Sequence, residues 1–113
     1  MKKVRITVLK TGFEEDLAKE YGLPGIGRCP AHKVGDVFET YCDKPEGLCN
    51  EAWKAIGHYV FALSHGAERF FGDWLARDGI AINSCNDGLR PVIFKIERLE
   101  GEDYWLPAPS KES

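Results

Sequence analysis

A chain of 113 residues, 43% hydrophobic and 29% charged, has room for one modest core and not for two, so a single domain over 1–113 is expected. Its net charge is −3 and its basic residues are scattered, with no run longer than Lys2-Lys3, which excludes a general nucleic-acid binder needing a cationic footprint on phosphates. No segment approaches the ~18 consecutive apolar residues of a membrane span, and the basic start lacks the apolar stretch of a signal peptide, so no membrane partner and a cytoplasmic location are expected.

Val4, Ile6 and Val8 alternate with polar neighbours and predict a first strand. Thr11 and Glu14 stand at capping-box spacing, and Phe13, Leu17, Ala18 and Tyr21 follow at helical spacing up to the stop at Gly22. "GLPGIGRCP", with three glycines and two prolines, is a loop. "KVGDVFETY" reads as a second strand entered through the turn residues Gly35 and Asp36, and "CDKPEGLC" as another loop.

The strongest helix comes next. Asn50 is its expected cap, Glu51 suits the positive end of the dipole and Gly66 is the expected terminator. Trp53, Ile56, Val60 and Leu63 form its apolar stripe, widened by Ala52 and Tyr59. "AERFFGDWLARDG" carries Phe70, Phe71, Trp74 and Leu75 and predicts a shorter helical stretch, against which Gly72 counts. "GIAINSC" and "PVIFKIERLE" read as two strands joined by "NDGLR", where Asp87-Gly88 suits the positive dihedrals of a hairpin turn. Val92, Phe94 and Ile96 share one face of the last strand. The ordered core is expected over about 3–100, with the tail from about 106 to 113 frayed. This order predicts an α+β fold: a small, mainly antiparallel sheet with two or three helices packed on one face.

Three blocks stand out: "CPAHKVGDVF", "KPEGLCNEAW" and "SCNDGLRPVIFKIER". Together they resemble a family of small single-domain prokaryotic proteins of uncharacterised activity, which carry C-P…G-D-x-F, P-x-G-x-C-x-x-A-W and C-x-D-G-x-R-P-V-x-F. The resemblance runs from about Val4 to Arg98 and implies no particular reaction. It marks Cys29, Pro30, Gly35, Phe38, Pro45, Gly47, Cys49, Trp53, Cys85, Asp87, Gly88, Arg90 and Pro91 as pattern positions. His32 and Cys42 fall outside the pattern.

Cys29, His32, Cys42 and Cys49 lie within 21 residues, and Cys85 lies far downstream. In a reducing compartment four cysteines serve as ligands, reactive thiols or packing residues sooner than as disulfides. Cys29-x2-His32 has a spacing zinc tolerates, and thiolates suit zinc or an iron–sulfur cluster, so Cys29, His32, Cys49 and Cys85 are the candidate metal ligands. No C-x2-C pair is present to strengthen that reading.

Three functional readings stay open. The leading one is a cysteine-lined metal or iron–sulfur site with a redox or accessory role. A second is a non-catalytic binding or scaffold module with structural cysteines and a protein partner. The third is a metal-free thiol enzyme. In it Cys49, beside a helix start that favours a thiolate, or Cys85 is the nucleophile, and Arg90 holds an anionic substrate. Whether the chain is an enzyme stays open with them. His58 and His65 read as exposed or half-exposed residues. Phe61 falls off the main stripe, and a helix apolar on two sides predicts a homodimer contact. Phosphate-binding glycine loops, the serine elbow and the H-E-x-x-H helix are all missing.

Overall fold

The computed structural model describes residues 1–101 and 103; the tail expected to fray lies outside the described residues. The elements are β1 (Val4–Thr11), α1 (Glu15–Tyr21), β2 (Val37–Thr40), α2 (Asn50–Ser64), β3 (Ile80–Ser84) and β4 (Val92–Arg98). The strands form one antiparallel sheet in the order β2-β1-β4-β3. The fold is thus α+β, as expected from the sequence.

Alternation explains the core. Val4, Ile6 and Val8 of β1, Val92, Phe94 and Ile96 of β4 and Ala81 of β3 all bury their side chains on one face. α2 packs against β1, β3 and β4, adding Ala52, Ile56, Val60 and Leu63, with Leu48 just before it. The other face carries charge. There Arg5 lies opposite both Glu39 and Glu97 in the register and donates to Glu39 at 2.9 Å. A register shift between Val8 and Lys10 marks a bulge that leaves Leu9 exposed at the end of β1.

Several local expectations are corrected. Thr11 ends β1 and does not cap α1, which starts after Glu14 without a side-chain cap bond. β2 is only four residues long, because Lys33–Asp36 form a turn: Asp36 N–H donates to the Lys33 carbonyl, and Gly35 has φ 94°. The cap position of α2 belongs to Cys49, and Asn50 is the first helical residue.

Residues 67–79 form turns and bends and no helix. Phe71 and Gly72 have φ of 56° and 64°, which a right-handed helix forbids, so the apolar spacing there serves another packing. Arg98 pins that segment to the sheet, donating to the Ala67 carbonyl at 2.7 Å and to Glu68 at 3.0 Å. Phe61 stacks on His65 and stays 55% exposed; Trp74, stacked on Phe71, is 76% exposed. Among the described residues no helix is long and apolar enough to cross a membrane.

Candidate functional site

Three segments converge where the N-terminus of α2 meets the β3–β4 connection. Hydrogen bonds hold them there. Arg28 donates to the Thr11 carbonyl, fixing the loop that carries Cys29 to the end of β1. Gly35 N–H donates to the Val8 carbonyl and Val8 N–H to the Asp36 carbonyl, which ties the loop of His32 to the same strand. Gly12 N–H donates to the Pro91 carbonyl at 2.6 Å and Glu14 N–H to the Leu89 carbonyl at 2.9 Å. A Cβ at Gly12 would stand 3.0 Å from the Pro91 ring, so glycine permits this approach.

These segments enclose a cavity of about 230 Å³ lined by Cys29, His32, Cys49, Cys85, Asp87 and Arg90, with Glu51, Ala52, Asn86 and Val92 completing the wall. Of the five residues singled out for chemistry, all are here: Cys29, His32, Cys49, Cys85 and Arg90. Cys42 lines a separate surface hollow with Lys3, Glu39 and Tyr41. His65 Nδ1 lies 2.8 Å from the Phe61 carbonyl at the end of α2, and neither it nor His58 touches the cavity.

The β3–β4 connection differs from the expected hairpin. Neither Asp87 nor Gly88 adopts a positive φ. Instead the Asp87 carboxylate folds the turn: Oδ1 accepts from the N–H groups of Leu89 (2.9 Å) and Arg90 (3.1 Å), and Oδ2 accepts from Arg90 Nε at 2.8 Å. The turn residue and the anion-binding candidate are therefore one unit. Among the described residues the terminal nitrogens of Arg90 have no hydrogen-bond partner, and its side chain is 31% exposed.

Cys85 and His32 have defined partners. Val92 N–H donates to Cys85 Sγ at 3.3 Å, and Sγ makes a long contact of 4.0 Å with the Arg90 carbonyl. Cys49 N–H donates to His32 Nε2 at 3.2 Å, so the neutral ring carries its proton on Nδ1. His32 is 5% exposed, with its edge or face toward Phe38 and Phe94 at 5.6 and 5.9 Å. The next amides of α2, those of Asn50, Glu51 and Ala52, have no partner among the described residues. Asn86 ties the two walls together, donating to the Glu51 carbonyl at 3.2 Å.

Charge at the site is distributed unevenly. The Arg90 side chain holds the Asp87 carboxyl below the ordinary carboxylate range, helped by the Leu89 and Arg90 amides and opposed by burial. Arg90 is raised in turn, first by its hydrogen bond to Asp87 and against the effect of burial. Glu51 is lowered by hydrogen bonds from Lys54 and then Asn86. The Asp87 contribution to stability is present above the unfolded value of about 3.9 and is lost as pH falls through the lower folded value. Asp87→Asn therefore lowers the urea midpoint at neutral pH, and its deficit against wild type shrinks as the titration goes below about pH 4. A constant deficit across that range would separate Asp87 from the pH dependence.

The sulfur and nitrogen atoms suit zinc by type, but among the described residues no three His, Cys, Asp or Glu side chains are arranged to hold a metal ion. His32 Nε2 is already used by the Cys49 amide. Sequence reasoning missed Glu51 and Asn86 as cross-ties and Asp87 as the residue that orients Arg90. The i, i+3 spacing of Asp87 and Arg90 was the available hint. Comparison with protein-family models, curated proteins and solved structures found no match to this chain.

Proposed function

We propose that the chain acts through a cysteine thiol on a small anionic molecule held in the 230 Å³ cavity, with Cys85 as nucleophile and Arg90 as the anion anchor. The observation that carries this reading is the hydrogen bond from Val92 N–H to Cys85 Sγ, beside a guanidinium whose outer nitrogens have no partner among the described residues. A donor aimed at sulfur stabilises negative charge there, as does a nearby cation. In the chemical step the sulfur gives an electron pair to an electrophilic centre of the bound molecule. The thiol proton passes to water, and the leaving group departs with the pair of the bond that breaks. Asp87 is a positioning residue: it sets the plane of the guanidinium through Nε.

Native alkylation with iodoacetamide, quenched at intervals and mapped by mass spectrometry, tests the reading. Cys85 is expected to be modified first, ahead of Cys42, which lies outside the cavity. Cys85 reacting no faster than Cys42 would remove it as a nucleophile.

A zinc or iron–sulfur site is the second reading, favoured by the presence of Cys29, His32, Cys49 and Cys85 around one cavity. It requires these side chains to rearrange, since among the described residues they are not arranged around one point, and His32 Nε2 must give up the Cys49 amide. Stoichiometric metal in protein purified without oxygen, lost on Cys29→Ser, would establish it over the first reading.

A further inference from the structure

We infer that the molecule taken into this cavity is a small monocarboxylate, its carboxylate gripped by the outer nitrogens of Arg90 and its reactive carbon turned to Cys85. The inference rests on the thiol reading above and adds the chemical class of the occupant.

Geometry selects a planar anion. Arg90 is fixed at Nε by Asp87 at 2.8 Å, which leaves the two terminal nitrogens without a partner among the described residues. A guanidinium held in this way presents a flat fork that matches the two oxygens of a carboxylate. Additional donors ring the same space. Among the described residues the amides of Glu51 and Ala52, both in the cavity wall, have no partner, and no acceptor is bonded to His32 Nδ1.

Charge selects a single negative charge. The wall holds one cation, Arg90, against the carboxylates of Glu51 and Asp87. A dianion such as a phosphate monoester would meet both carboxylates with only one full positive charge to offset them. A monoanion adds the least to that excess of negative charge while still meeting the outer nitrogens of the guanidinium and the partial positive charge of the α2 N-terminus. The remaining wall of Ala52, Val92 and three thiols suits a short carbon skeleton with few polar groups.

Two alkylating reagents that differ by this one group test the assignment. Iodoacetate and iodoacetamide each form a sulfur–carbon bond as the carbon–iodine bond breaks; iodide leaves with the bonding pair and the thiol proton goes to the buffer. Only the first carries a carboxylate. Rates at Cys85 are read by mass spectrometry on the full chain, with free cysteine giving the intrinsic ratio of the two reagents. The iodoacetate-to-iodoacetamide ratio at Cys85 is expected to exceed that of free cysteine by about tenfold, the worth of one charge-assisted hydrogen bond.

Arg90→Gln should return the ratio to that of free cysteine, and Arg90→Lys, which keeps charge without the fork, should fall between; far-ultraviolet circular dichroism checks that both fold. Propionate should slow the modification, and inorganic phosphate at equal concentration should not. A ratio equal to that of free cysteine, with iodoacetamide still modifying Cys85 ahead of Cys42, overturns the carboxylate assignment and leaves the thiol reading standing. Stronger protection by phosphate than by propionate also overturns it. Failure of both reagents to modify Cys85 ahead of Cys42 overturns both.

Discussion

Phe94→Ala is expected to lower the free energy of unfolding by about 3–5 kcal/mol. Phe94 is the largest fully buried side chain among the described residues and sits mid-strand in β4, paired with Val8 on one side and Asn83 on the other. It belongs to the cluster joining the sheet to Ile56 and Val60 of α2, and it also meets the His32 ring at 5.9 Å. Truncation removes its burial and leaves a cavity that neighbours on three strands cannot close. Domains of this size are stable by about 5–15 kcal/mol, so the loss is a large share of the total. Urea unfolding followed by tryptophan fluorescence should show a lower midpoint at unchanged slope. Leu23→Ala, at a position 80% exposed, should stay within about 0.5 kcal/mol of wild type. Equal effects at the two positions would place the core elsewhere.

That core was largely legible in the sequence. The alternation of Val4, Ile6 and Val8 and of Val92, Phe94 and Ile96 marks β1 and β4, and the spacing of Ile56, Val60 and Leu63 marks the buried face of α2. Strand order was not legible, because the central pair joins the first and last strands of the chain and no local rule specifies a partner so far away. The 67–79 segment misled for a different reason. Its aromatic spacing is genuine, but Phe71 and Gly72 adopt left-handed backbone and the segment is held by Arg98, a contact 31 residues away. The meeting of Cys29, Cys49 and Cys85 followed from their places in a loop, a helix start and a strand end. Asp87 did not yield its role, since Asp-Gly after a strand reads as a hairpin turn. Only the contact of its carboxylate with Arg90 Nε reveals that it aims the guanidinium.

His32→Ala should cost about 3 kcal/mol, the sum of an unsatisfied buried amide and a ring-sized void. The amide is that of Cys49, at the cap position of α2, where no side-chain oxygen takes its place. The void opens beside Phe38 and Phe94, whose rings lie about perpendicular to the imidazole. His32→Gln separates the two contributions, because a glutamine oxygen can accept from the Cys49 amide while filling less of the space. Its expected loss is about half that of alanine, measured by urea unfolding. His32 thus links the core to the site: the ring that meets Phe94 also fixes the start of α2, and with it Cys49 and the amides of Glu51 and Ala52 in the cavity wall. Loosening that start should slow alkylation of Cys85 by iodoacetate more than by iodoacetamide, since the amides act on the anion and not on the sulfur. Equal slowing with both reagents would make His32 a packing residue alone.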